Sequence, residues 1–267
     1  MNYQLTSNHI WLVKYIPGIF LFAIALFLLI GWAFGKYRVK KSESVTIRDS
    51  LVTAIFGLSA LVLGFTFSSA NQHFNDRLAG IRTQALILEN TDDSCSYLAA
   101  VDKIAAKKLL KVLLEKRLAL YQNIKSLNQF DDRIADFRRK LIEFNEFMTL
   151  AIARAPSENK ECAGKILSLH SGQLSDAFKL ELLNTKNHPP AIIEGFLLIL
   201  LTTGALLSGY AMAVKKEDDW FLAAIYLALI GFTLVVIFSL EIPYQLMNQG
   251  LINHELLEVQ KLMGSPS

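Results

Sequence analysis

Residues 46–90, TIRDSLVTAIFGLSALVLGFTFSSANQHFNDRLAGIRTQALILEN, constrain this chain more than any other stretch. The first half is apolar enough to cross a bilayer. The second half is amphipathic, and no proline or glycine cluster separates them. One seam runs through both: Gly57, Ala60, Gly64, Phe67, Asn71, Phe74, Leu78, Ile81, Ala85 and Leu88. Its steps alternate between three and four, the spacing of a helix packed along one face. The seam is small where lipid is expected, which lets helix backbones approach, and large where water is expected, which buries apolar area. The stretch reads as one helix that leaves the membrane without breaking, about 60 Å long at 1.5 Å per residue.

The rest of the chain fits that reading. Of 267 residues 52% are hydrophobic, and mean hydropathy is +0.34, high for an ordinary soluble protein. The apolar residues gather in four runs of roughly 20, the length that spans a bilayer. A net charge of +3, with no basic stripe interleaved with aromatics, gives no footprint for nucleic acid. The fold class is therefore all-α: four transmembrane helices, arranged 2+2, with an extramembrane antiparallel helical bundle between the second and third.

Residues 1–70 hold the first transmembrane hairpin. Its first run, Ile16 to Gly35, is too long for a signal peptide and is followed by no small-x-small cleavage site. It carries a Gly31-x-x-x-Gly35 pair, a pattern that marks helix packing and also occurs by chance. Thr46 and Asp49 have capping-box spacing ahead of the second run, Ser50 to Ala70. Residues 71–188 form the bundle. It starts with the continuation of the long helix to about residue 98. A helix over 102–127 follows, with an apolar face of Ala105, Leu109, Val112 or Leu113, Leu120, Ile124 and Leu127. The next runs over 130–155, with the seam Phe130, Ile134, Phe137, Leu141, Phe144, Met148, Ala151 and Ala155, and Pro156 ends it. The last covers 159–184. Four amphipathic helices on short turns read as an up-down bundle, although the same seams would also suit packing between subunits.

Residues 189–243 hold the second hairpin, opened by His188-Pro189-Pro190 and closed by Glu241-Ile242-Pro243. Residues 244–267 are a tail with amphipathic character, expected on the membrane or on the bundle. Sidedness follows from charge. The first loop carries Lys36, Arg38, Lys40, Lys41 and Arg48, and the third carries Lys215 and Lys216. Basic loops stay in the cytoplasm, so the bundle is expected on the exoplasmic side. Cys95 and Cys162 fall near one end of an up-down bundle, where an oxidising compartment would allow a disulfide; two unrelated small thiols are the alternative.

No hydrolase elbow, phosphate loop, dinucleotide fingerprint or His-Glu-x-x-His motif is present, and the five histidines are scattered. No catalytic, cofactor or metal site is expected, and the chain does not read as an enzyme. Only Glu194 places a charge within an apolar run, where a carboxylate suits the start of a helix. Polar residues collect at Asn71, Gln72, Asn75, Asp76 and Arg77, and again at Glu241. Arg77 and Glu241 are candidates for an interfacial salt bridge, with independent solvated charges as the alternative. Phe67, Asn71 and Phe74, repeated in several copies, would set an amide ring between two aromatic rings. Ordinary packing within one subunit is the simpler explanation.

Gly64-Phe65-Thr66-Phe67-Ser68, then Asn71, Phe74 and Arg77, then Glu241 and Pro243, resemble the bestrophin-like domain family of bacterial multi-pass membrane proteins. That family has two spans, a helical insert and two more spans. The resemblance implies a bacterial plasma membrane and, by kinship with bestrophins, an oligomeric anion channel. One departure stands out: the family commonly has two glutamates and Ala-Asn-Ala-Ile where this chain reads Thr83-Gln84-Ala85-Leu86-Ile87-Leu88, so a polar site there is expected to be missing. Bestrophins also keep the insert in the cytosol, and here the loop charges place it outside. The resulting expectation is a non-enzymatic membrane protein, a candidate ion channel assembled as a homo-oligomer. The alternative is a membrane-anchored sensor or scaffold whose bundle binds an unidentified partner.

Overall fold

The computed structural model describes residues 15–41, 49–124, 126–184 and 191–264. Thr46 of the capping pair and the opening His188-Pro189-Pro190 lie outside the described residues. Among the described residues every regular element is helical. Four helices are long and apolar enough to cross a membrane: α1 (Ile16–Lys41), α2 (Asp49–Ser94), α7 (Ala191–Lys215) and α8 (Trp220–Glu241). α2 is unbroken over its 46 residues, as the sequence predicts. The chain divides into two compact units, the first containing residues 11–74 and 188–246, the second residues 75–187 and 247–267.

In the first unit α1 lies along α7 at backbone distance. A Cβ placed on Gly31 would sit 2.0 Å from the Leu206 carbonyl oxygen, and one on Gly209 would sit 2.0 Å from that of Leu28. Gly35 meets Ala213 and Tyr210 in the same way. The Gly-x-x-x-Gly pair is thus a packing motif here, answered by a glycine on the facing helix. Around it Ile24, Leu28, Leu197, Leu201, Ala205, Leu234 and Phe238 form the core, and Phe20 packs edge-on against Phe238 with ring centroids 5.2 Å apart. At one end Asp218, in the α7–α8 connection, accepts from Lys36 Nζ (2.5 Å) and Trp32 Nε1 (2.8 Å). The Lys36 hydrogen bond, with that of Trp32, holds the Asp218 carboxyl below the usual carboxylate range. Asp219 then caps α8 by accepting from Leu222 N at 3.1 Å.

The second unit is built from the later part of α2, a 3-10 turn (Cys95–Tyr97), α3 (Ala100–Ala119), α4 (Leu127–Ala153), a short α5 (Lys160–Cys162), a π-helical turn (Ala163–Leu167) and α6 (Ser168–Asn184). Cross-helix pairs fix their directions. Arg154 reaches Asp102 at 2.8 Å while Lys116 reaches Asp136 at 2.7 Å, so α3 and α4 are antiparallel. Asp92 pairs with Lys107 and Gln84 with Arg117, which sets α2 antiparallel to α3. The Lys116 hydrogen bond, with a second from Arg139, holds the Asp136 carboxyl below its ordinary range. Ser126 caps α4 by accepting from Gln129 N. Asp131–Asp132 and Asp92–Asp93 lie inside α4 and α2.

The α4 seam is buried from Ile134 to Ala155, and Phe137 packs edge-on against Phe178 of α6. The α3 face differs from the one expected. Ala106, Leu110, Leu113, Leu114, Arg117 and Leu118 are buried, whereas Ala105 and Leu109 lie half-exposed. The expected face is displaced by one residue because an arginine occupies a core position, which a hydrophobicity pattern counts as outside. The helix also ends at Ala119, earlier than expected, and Asn123 takes a left-handed φ of 50° in the turn. The tail is three pieces rather than one: α9 (Pro243–Leu246), α10 (Gln249–Ile252) and α11 (His254–Gly264). Asn248 and Asn253 interrupt it, and α11 packs on α3 with Leu256 and Val259 buried.

Candidate functional site

In the first unit, α2 presents Phe56, Ser59, Leu63, Thr66, Ala70 and His73 toward the other helices. Ser59 and Ala70 are buried, and Phe56 meets Tyr226 edge-on at 5.8 Å. This row lies one residue before the expected seam. The seam itself is exposed at Gly57, Ala60, Gly64, Phe67 and Asn71, half-buried at Phe74 and Leu78, and buried at Ile81, Ala85 and Leu88. The correction is geometric. A strict seven-residue repeat drifts about 20° per heptad on a straight 3.6-residue helix, so four heptads turn it through about 80°. A seam that faces the bundle at Ala85 therefore faces outward at Gly57.

Where α2, α7 and α8 converge, a pocket is lined by Thr66, Glu194 and Glu241 together with Phe20, Leu197, Leu234 and Phe238. Glu241 closes α8 and is buried; Glu194, one turn into α7, is half-buried. Glu241 Oε1 lies 3.3 Å from His73 Nδ1. The Thr66 hydroxyl donates to Val62 O at 2.8 Å. Sequence reasoning missed His73 because the residue sits in a polar run whose members look alike. Of the expected pair Arg77 and Glu241, Arg77 belongs to the second unit and Glu241 to the first.

The second unit encloses a polar network around Arg117, which is fully buried. Its guanidinium forks onto Glu181, Nη2 donating to Oε1 and Nε to Oε2 at 2.5 Å. Gln84 bridges the pair, donating to Glu181 at 2.7 Å and accepting from Arg117 Nε at 3.1 Å. Tyr121 donates to Glu181 at 3.3 Å, and its ring lies 5.3 Å from the guanidinium. Three helices and the α3–α4 turn are tied by one charge pair. The fork and its Gln84 bridge hold α2, α3 and α6 to one another as a tether.

At the other end of that unit, Ser94 and His170 lie 2.7 Å apart. Ser94 Oγ already donates to Asn90 O at 2.7 Å, and His170 Nδ1 is 3.2 Å from the same carbonyl. The imidazole N–H therefore donates to the serine, the reverse of what activates a nucleophile. The expected Cys95–Cys162 disulfide is not formed: both thiols are free. The 3-10 turn that begins at Cys95 does pack against the π-helical turn Ala163–Leu167 that follows Cys162. Cys95, however, lies on the inward face of its helix and donates to Thr91 O at 3.2 Å, while Cys162 points to solvent. Burial, aided by Asp92, pushes the Cys95 thiol up to about 12. A maleimide at neutral pH is expected to label Cys162 and leave Cys95 unmodified. The thiolate fraction at a pKa of about 12 is roughly three orders of magnitude below that of a free thiol. Mass spectrometry of tryptic peptides before and after denaturation checks this, and equal native labelling of both sites would refute the buried placement.

His254, Glu255 and Glu258 bring ligand-type atoms within 4.8 Å on α11. They are solvent-accessible, and their carboxylates face Arg82 (3.4 Å) and His254 (3.6 Å), so surface ion pairing accounts for them. Compared with protein-family models, with curated proteins and with solved structures, the chain matches none of them.

Proposed function

We propose that this chain is an integral membrane protein whose copies associate along α2 and conduct ions at the shared axis. In this reading α1, α2, α7 and α8 span the bilayer in a 2+2 arrangement. The bundle lies on the exoplasmic side, opposite the basic loops. The observation that carries association is the composition of exposed faces. On α1 and α8 they are large and apolar, as with Phe22, Phe34, Phe221, Leu229 and Phe232, and suit lipid. On α2 a stripe of small and polar residues, Gly57, Ala60, Gly64, Ser68 and Asn71, is exposed beside the large Leu58, Leu61, Phe65 and Phe67. Only 6% of the apolar stretch of α2 is buried, against 44% for α7. Small residues favour close helix contact in lipid, and an amide there favours a polar partner or water.

Phe67, Asn71 and Phe74 are the lining residues of this reading. Amide and hydroxyl donors beside aromatic edges would suit an anion, as the bestrophin-like resemblance implies. Asn71→Cys on α2 is expected to give covalent oligomers under mild oxidation in a Cys95→Ser, Cys162→Ser background. Phe232→Cys, on the large apolar face of α8, is the control and is expected to give none. Absence of α2 crosslinks would overturn the association, and absence of conductance in planar bilayers under any ion gradient would overturn the channel. One observation favours a scaffold instead: Val101 and Ile104, one turn apart on α3, are 80% and 72% exposed. Crosslinking that recovers one dominant partner through that face, with no self-association, would support the scaffold.

A further inference from the structure

We propose that the end of the first unit where α1 and α7 finish together binds the phosphate of an anionic phospholipid headgroup, held by Arg38, Lys40, Lys41 and Lys216 with the Tyr210 hydroxyl. Helix direction creates the site. Gly31 meets Leu206, and Gly35 meets Tyr210 and Ala213, so the contacts advance the same way along both helices and α1 and α7 are parallel. Their C-terminal ends therefore lie side by side. The cations stand at those ends: Lys36, Arg38, Lys40 and Lys41 on α1, Lys215 closing α7, and Lys216 next in the chain. Two basic segments far apart in sequence thus make one patch. Three acids, Glu217, Asp218 and Asp219, stand against these six cations. Two of the three are already engaged, Asp218 with Lys36 and Trp32, and Asp219 as the cap of α8.

Lys40, Lys41 and Lys216 are exposed and make no ion pair among the described residues. Arg38 Nη1 donates to the Tyr210 hydroxyl at 3.4 Å. That hydroxyl accepts and keeps its own proton to give, and the planar guanidinium suits phosphate oxygens. Lys216 takes a left-handed φ of 59°, a conformation that favours glycine, so backbone economy does not explain a lysine there. The patch also has the height of a headgroup. Trp32 and Trp220 pack edge-on with ring centroids 5.3 Å apart, and Tyr37, further along α1, is exposed. Tryptophan and tyrosine mark the headgroup level of a spanning helix, and clustered Lys and Arg at that level attract anionic lipid.

This proposal rests on α1, α7 and α8 crossing a bilayer, and not on association or conduction. The test is tryptophan quenching by brominated lipid, on the full chain in vesicles. Trp11→Phe leaves Trp32 and Trp220 as reporters. Brominated phosphatidylglycerol diluted into phosphatidylcholine is expected to quench as though enriched about five-fold or more, the preference that one basic residue near a membrane surface gives. Arg38→Gln, Lys40→Gln and Lys41→Gln together are expected to abolish the enrichment. Lys108→Gln, Lys111→Gln and Lys160→Gln, which remove as much charge from the second unit, are expected to leave it. Tyr210→Phe changes no charge and is expected to lower the enrichment about two-fold or more. Enrichment that is absent in the parent chain, or that survives the Arg38, Lys40 and Lys41 substitutions, would overturn the site. Enrichment indifferent to Tyr210→Phe would overturn it too, by showing diffuse attraction to charge. Inorganic phosphate at matched ionic strength is expected not to displace the lipid; displacement would assign the patch to free phosphate instead. If the triple variant does not fold, the Tyr210→Phe and phosphate arms decide. Failure of brominated phosphatidylcholine to quench either tryptophan would refute the bilayer placement itself.

Discussion

Replacing Arg117 by alanine is expected to cost the bundle unit about 3–5 kcal/mol, the usual cost of removing one partner of a buried ion pair. Small domains are stable by about 5–15 kcal/mol, so such a loss leaves the unit marginal at 25 °C. The cost arises mainly from what remains. Glu181 would keep its charge inside the bundle with Gln84 and Tyr121 as its donors among the described residues. Two comparisons separate charge from geometry. Arg117→Lys keeps the cation but not the planar fork that meets both Glu181 oxygens, and an intermediate loss is expected. Arg117→Met combined with Glu181→Leu removes both charges, and such exchanges are often close to neutral. Thermal unfolding of the full chain in detergent, followed by helical circular dichroism, measures all three. A melting curve for Arg117→Ala that matches wild type would show that the pair contributes nothing to holding α2, α3 and α6 together.

The same residue shows where the sequence was readable and where it was not. The α4 face was legible because each core position from Phe130 to Ala155 is apolar and Asp131 and Asp132 fall on the exposed side of the helix. The α3 face was legible only to within one residue, since its innermost position is an arginine. Continuity of α2 was legible because nothing in residues 50–94 breaks a helix. Which side of it faces inward was not, because that depends on how 3.6 residues per turn accumulates against a seven-residue pattern. For Cys95 and Cys162 side-chain direction decides bonding, and spacing does not report it. His73 was invisible for a different reason. Its neighbour Glu241 comes from α8, more than 100 positions further along the chain, and no local pattern records such a meeting. Glu194 was noticed but explained by its own helix, which is all that a local reading can offer.

Gly209→Leu is expected to disrupt the first unit altogether, and even Gly209→Ala is expected to lower its melting temperature markedly. A Cβ at Gly209 would meet Leu28 O at 2.0 Å, Leu28 C at 2.9 Å and Trp32 N at 2.8 Å. All three are backbone atoms of a continuous helix, so no rotamer change makes room; α1 and α7 must separate. Separation affects both helices at once, because Gly31 makes the reciprocal approach to Leu206 O at 2.0 Å. Overpacking a fitted core costs about 1–3 kcal/mol, and a clash against backbone belongs at or above the top of that range. Gly64→Ala is the matched contrast. Nothing lies within 4 Å of a Cβ at Gly64, and alanine is the better helix former by about 1 kcal/mol. Within one copy that substitution is expected to leave melting unchanged or raise it. Between copies joined along α2 it would crowd the contact, so Gly64→Ala would reduce Asn71→Cys crosslinking while sparing the fold. The two glycines therefore report on different contacts: Gly209 on the helix pair inside one chain, Gly64 on the face that a neighbouring chain is proposed to cover. If Gly209→Ala melts like wild type in detergent, α1 and α7 do not approach at backbone distance. If Gly64→Ala lowers the melting temperature as much as Gly209→Ala does, the exposed face of α2 is packed within the single chain.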